Sequence, residues 1–356
     1  MKRMNREEFF SKLATLDGEQ LQKALWNLYW RGSAVMRERI EAELAPEQHK
    51  VRQRPAAQSV DPELLLHEVR DFVALVRSGA YLGGDRRVSP RERTRWRFTF
   101  QRLATEAQGA LAVTDISAGA AAMEQLIELA CELRSYDYFR SEDPVEAARF
   151  VVSDAVALSW GRLRDSYGFA GFAERAAPQL IRWESRYGWT RGGWGRIPDK
   201  ETSLASVLTR LLRAPDTWVG FADHYLDALD HVAVGGEAGP RRSRGDTDFE
   251  RGQRTAELAE WHLLLLDRLA DYDAGDRLDR LAGHPALGGP ELTFFQGRLA
   301  YQRGDASRAH DLVHESLTKL PGHPAFQQFA TEIGTPLPPH AQEIAEQRQR
   351  GSRVLP

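Results

Sequence analysis

His224, Asp227 and His231 stand three and four residues apart, so an α-helix brings two imidazoles and a carboxylate to one face. Those donor types can ligate a divalent cation, which would make the chain a helical metal-dependent hydrolase. The competing reading comes from the same helix, where Trp218, Phe221, Tyr225, Leu229 and Val232 form the apolar stripe roughly opposite and turn the histidines toward water. His310 and His314 repeat the i, i+4 spacing, but Glu315 lies beside the pair and not inside it as in a zincin helix. The chain has no Gly-x-Ser-x-Gly, no His-Glu-x-x-His, no kinase set and a single cysteine. No catalytic residue is assigned on this basis, and no cofactor is expected.

Two further sets suit binding better than catalysis. Arg86, Arg87, Arg91, Arg93, Arg95 and Arg97 form the densest basic run. On a helix after Pro90, Arg91, Arg95 and Arg102 align opposite Trp96 and Phe100, a stripe that can meet phosphates or an acidic partner. The stretch Trp189-Thr190-Arg191-Gly192-Gly193-Trp194-Gly195-Arg196 joins two indoles and two guanidiniums on a glycine-rich backbone. Both side-chain types favour flat partners, so Trp189, Arg191, Trp194 and Arg196 are candidate partner-binding residues. The alternative is that the indoles fold back and seal the core. No Gly-Lys-Ser/Thr ends this loop and no strand precedes it, so it is neither a phosphate-cradling loop nor a dinucleotide fingerprint.

The elements that must position these residues read as helices throughout, because period-2 runs of β-branched residues are missing and Ala, Leu, Glu, Arg and Gln dominate. Asp17 with Gln20 is a capping pair for one of the helices in a small N-terminal module, 1–45, and Leu21, Leu25, Leu28 and Tyr29 share a face. A polar stretch, 46–60, has the composition of a linker. A central all-helical domain, 61–235, opens at Asp61-Pro62 and restarts at Ser89-Pro90. Further helices are expected near 117–134, 144–165, 169–186, 203–213 and 217–233. Asp143-Pro144-Val145-Glu146 is the plainest of these start signals. Glycine, proline and mixed charges without periodicity mark 236–253 as a loop, after which a C-terminal helical region, 254–356, ends in a polar tail.

That last region carries a resemblance. Gly283-His284-Pro285-Ala286 returns as Gly322-His323-Pro324-Ala325, 39 residues further on, a distance that suits a helix-turn-helix unit. Within 294–321, Gly297 is the small residue at the crossing of two helices, Gly304-Asp305 the turn between them, Ala309 and Ser316-Leu317 the contacts of the second helix, and Pro321 the closing proline. This unit resembles a tetratricopeptide repeat, and the likeness extends over about 257–333. Thr293, Ala300 and Val313 stand where the family commonly has larger rings. The resemblance implies stacked helical hairpins and a protein or peptide held in a groove, without enzymatic chemistry.

Composition narrows the classes further. With 356 residues, 42% hydrophobic and 28% charged, the chain has the profile of an ordinary globular protein. A net charge of -3 gives no global pull on nucleic acid or anionic lipid. No segment approaches the roughly 18 apolar residues of a membrane span. Met1-Lys2-Arg3 is followed by Glu7 and Glu8 before any apolar run, unlike a signal peptide, and the expected location is cytoplasmic. Cys131, within Leu126–Cys131, reads as a core residue. The sequence therefore points to an all-α scaffold or adaptor for a protein or peptide partner, with a nucleic-acid accessory role along the arginine stripe as the alternative.

Overall fold

Pro62, Pro90, Pro144, Pro215, Pro290, Pro324 and Pro339 each open a helix in the computed structural model, where a missing backbone N–H is no loss and the fixed φ is already helical. The structure describes residues 17–31, 61–83, 85–191, 195–237, 244–272 and 276–352. The rest of the N-terminal module, 1–16 and 32–45, and the linker 46–60 lie outside them. Among the described residues there are helices and no strands.

The chain divides into two units, Met1–Val60 and Asp61–Pro356. The first contains α1 (Gly18–Arg31). Asp17 and Gln20 close the expected reciprocal cap: the Gln20 amide donates to Asp17 Oδ1 at 2.8 Å, and the Asp17 amide donates to Gln20 Oε1 at 3.2 Å.

The second unit opens with α2 (Pro62–Arg77), α3 (Pro90–Ala110) and α4 (Ser117–Glu132), and α4 packs on both others. In α3 the Ser89 and Glu92 side chains form a full capping box. The helix expected from Asp143 starts there but stops after one turn, as α5 (Pro144–Ala148). Arg149 takes a left-handed conformation with φ 52°, and the Phe150 amide turns back to the Val145 carbonyl while Phe150 itself is buried. An arginine performs the stop that glycine usually provides, so no local signal marks it. The long α6 (Val152–Trp183) follows, broken at Gly168 by φ 69° and ψ −173°.

Next come a 3-10 turn at Pro198–Lys200, α7 (Leu204–Leu211) and α8 (Pro215–Glu237), which packs on α6. Helix α9 (Arg244–Glu257) occupies much of the stretch whose composition reads as a 236–253 loop. It docks through polar groups more than through an apolar stripe. Arg254 donates to the Ala286 carbonyl at 2.7 Å, and the Gly288 amide donates to the Thr255 hydroxyl at 2.9 Å. Hydrophobic periodicity cannot reveal a helix held in that way.

The remainder comprises α10 (Ala259–Leu269), α11 (Arg277–Ala282), α12 (Pro290–Gln302), α13 (Ala306–Lys319), α14 (Pro324–Ile333) and α15 (Pro339–Ser352). Helices α12 and α13 form a tight hairpin. A Cβ on Gly297 would stand 3.1 Å from Val313 Cγ2 and 3.4 Å from Leu312 Cβ, so the small residue sets how closely these helices approach. Phe294, Val313, Leu317, Phe326 and Phe329 form the core beneath. Trp261 packs against Trp218, Phe221 and Tyr225 of α8, and His262 meets Phe295 of α12, so apolar packing continues from the central helices into the C-terminal ones.

Candidate functional site

Two helix N-termini determine where acidic side chains collect. Glu201 caps α6: its carboxylate accepts from the Val152 amide at 2.7 Å, the Ser153 amide at 2.9 Å and the Ser153 hydroxyl at 2.6 Å. Glu184, just past the end of α6, does the same for α7 by accepting from the Ala205 amide at 3.1 Å. Carboxylates are favourable at such positions because the first amides of a helix lack partners and carry partial positive charge. Glu260 accepts from the Ser203 hydroxyl at the same helix start, and Glu257 accepts from the Arg186 amide at 2.8 Å.

All four carboxylates line one hollow of about 520 Å³, together with Tyr187, Leu263 and His323. Glu184 is 3% exposed, and burial, with Glu260 nearby, pushes its carboxyl up to about 7 against the opposing pull of backbone hydrogen bonds. Burial also raises Glu201, despite the serine bonds that work the other way. His323 stacks on Phe326 at 3.9 Å, and its buried Nδ1 has no hydrogen-bond partner. Burial, with Arg186 and Arg348 adding, lowers this imidazole to about 4, so it is neutral at physiological pH.

The echoed turn is used differently in its two copies. His284 Nδ1 accepts from the Ala286 amide at 3.2 Å and Nε2 bonds Asp230 at 3.0 Å, locking the first copy to α8. In the second copy, His323 and Ala325 line the hollow.

The residues singled out by sequence lie elsewhere or at the margin. Trp189 is 2% exposed, and its indole N–H donates to the Trp183 carbonyl at 3.0 Å; it also forms part of the hollow's wall. Arg191 donates to the Leu133 carbonyl at 3.0 Å and pairs with Asp137. Trp194 lies outside the described residues. Arg196 is exposed, while its amide donates to Glu146, which also holds the Ile197 amide.

On α3, Arg91 and Arg95 are exposed, whereas Arg102 is engaged by Glu68 and Glu106. Only two of the three stripe arginines are left for a ligand. His224, Asp227 and His231 do share one surface, but the His231 ring bonds the Asp227 carbonyl at 2.7 Å and Arg280 pairs with the Asp227 carboxylate at 3.3 Å. Among the described residues no group of three or more His, Cys, Asp or Glu side chains is placed to hold a metal ion. His310 bonds the Thr335 hydroxyl at 2.7 Å. Cys131 is buried, and desolvation pushes its thiol up to about 12.

The four acids of the hollow escaped sequence analysis because each is an ordinary glutamate in its own segment. The available signal was positional: Glu184 and Glu201 sit at a helix end and just before a serine cap. Among the described residues no helix is long and apolar enough to cross a membrane. Comparison with protein-family models, with curated proteins and with solved structures finds no match to this chain.

Proposed function

We propose that the chain is a non-enzymatic helical adaptor that holds a segment of a protein partner, and that this segment presents a lysine or arginine side chain to the acidic hollow. One observation carries the reading: Glu184, Glu201, Glu257 and Glu260 converge on a space of about 520 Å³ in which Arg186 is the one guanidinium among the described lining residues. Arg186 is itself paired with Glu291 at 2.8 Å, and Arg134, outside the hollow, reaches Glu257 at 3.5 Å. Among the described residues this leaves Glu184, Glu201 and Glu260 as the acids that face the space without a cation of their own. Carboxylates that are short of solvent gain more from a guest cation than solvated ones do, because the attraction is screened less. Tyr187, exposed at the rim, and Leu263 offer apolar surface to the stem of such a side chain. The tetratricopeptide-like character of 294–321 supports a protein partner, since repeats of that kind hold peptide segments.

The test is a set of peptide libraries, each with one residue fixed, presented to the full-length protein. Selection should favour lysine or arginine at one position. Glu260→Lys, a reversal at an exposed site, should weaken the selected peptides by about tenfold or more while the protein still unfolds in one cooperative transition, somewhat lower because the Ser203 contact is lost. Affinity should rise between about pH 6 and pH 8 as Glu184 loses its proton. Libraries with no preference for a basic residue, or peptides that bind the Glu260→Lys protein equally well, would overturn the reading.

A further inference from the structure

Many arginines of this chain face an acid. Arg77, Arg102, Arg182, Arg186 and Arg191 each pair with a carboxylate. A different arrangement occurs where the start of α3 meets the loop after α4. Arg93 and Arg97, one helical turn apart, and Arg140 from that loop line a hollow of about 410 Å³ to which no carboxylate contributes among the described residues. Tyr81 and Trp96, both nearly buried, stiffen its wall; Trp96 stacks on Phe139 at 3.9 Å and Tyr81 meets the same ring edge-on.

Two acids flanking the α3 cap are engaged by other groups. Asp85 is held by Arg87, and Glu92 accepts from the Ser89 amide at 2.9 Å as part of the α3 cap. Arg93 donates one Nη2 bond to the Asp85 carbonyl, but its Nε is buried without a partner. Arg97 lies over the Phe98 ring at 4.8 Å, and neither it nor Arg140 has an ion-pair partner among the described residues. Gly83, with φ 144°, keeps the approach to Arg140 open: a Cβ there would lie 3.0 Å from Arg140 Nη2. Three guanidiniums around one space repel each other, and a buried N–H without an acceptor adds to the cost.

We propose that this hollow binds a phosphate dianion, either free or as the terminal group of a small phosphomonoester, with Arg93, Arg97 and Arg140 as its ligating residues. Planar N–H pairs match phosphate oxygens, and a dianion offsets most of the local charge. The Thr94 and Ser141 hydroxyls, which also line the space, can donate to further oxygens. The site is separate from the acidic hollow and its ligand is of opposite charge, so neither proposal depends on the other.

Titration calorimetry of the full chain tests it, with inorganic phosphate, glycerol 3-phosphate and glycerol as probes. Both phosphates should bind and glycerol should not, with affinity falling as salt rises. An ester that binds more tightly than inorganic phosphate identifies the ester as the source, and equal binding identifies the free ion. Arg97→Ala and Arg140→Ala, at exposed side chains without ion-pair partners, should each weaken phosphate by about tenfold or more with an unchanged melting curve. Arg91→Ala, exposed on the same helix but outside the hollow, should leave binding as it was. Absence of phosphate binding to the folded protein, or equal losses from Arg91→Ala and Arg97→Ala, would overturn the proposal.

Discussion

Glu184 illustrates how one carboxylate can serve structure at a cost. Its oxygens accept from the Ser185 amide at 2.9 Å and the Ala205 amide at 3.1 Å, so it ends one helix and begins another. The same burial raises its pKa from 4.5 to about 7. Between those values the folded protein holds a proton that the unfolded chain has released, so this group makes stability fall as pH rises, and above about pH 7 the loss is complete. A shift of that size corresponds to roughly 3 kcal/mol, as an order of magnitude. Glu184→Gln removes the titration, although its amide nitrogen forfeits one of the two accepted bonds. The quantity to measure is therefore the slope: denaturant unfolding between pH 4.5 and 8 should show the difference in stability moving in favour of the variant as pH rises. A constant difference across that range would mean that Glu184 titrates normally.

At the scale of elements, close helix approach depends on glycines whose surroundings differ. A Cβ on Gly119 would lie 2.8 Å from the backbone carbon of Ala110, which cannot move without shifting the end of α3. On Gly297 the nearest atom is a Val313 side-chain methyl at 3.1 Å, which can yield by a few tenths of an ångström. Alanine gains about 1 kcal/mol of helix propensity at either position. Gly119→Ala should therefore destabilise by about 1–3 kcal/mol through overpacking, while Gly297→Ala should stay within about 1 kcal/mol of the unchanged protein. Thermal unfolding of the two variants side by side checks the contrast. The Gly297 position was legible from repeat-like spacing, and the starts of α2, α3 and α5 from their acid or serine caps followed by proline. The stop at Arg149 and the helix α9 were not, because one uses a residue that rarely takes positive φ and the other is fixed by side-chain bonds to distant carbonyls. The acidic hollow was hidden for a related reason: its carboxylates are brought together by capping contacts such as Glu201 to Val152, which no local pattern encodes.

At the scale of the molecule, composition and texture suggest a central helical domain and a distinct C-terminal region, yet side-chain contacts join them repeatedly. Arg277 pairs with Asp223 at 2.6 Å, Arg186 with Glu291 at 2.8 Å, and the buried Tyr225 hydroxyl and His262 Nε2 are 2.7 Å apart. Trp261 is fully buried where α8, α10 and the central core meet, against Trp218, Phe221 and Tyr225. Apolar packing shared in this way couples the unfolding of the parts more strongly than exposed ion pairs can. Residues 61–356 are thus expected to unfold as one cooperative body, despite the change in texture near 236–253. Trp261→Ala should cost about 3–5 kcal/mol, the range for removing a large buried ring. Hydrogen exchange on that variant should lose protection in α8 and α12 together. Loss confined to the helices after Arg244, with α2 to α8 as protected as before, would instead mark an independent C-terminal domain that touches its neighbour without sharing its stability.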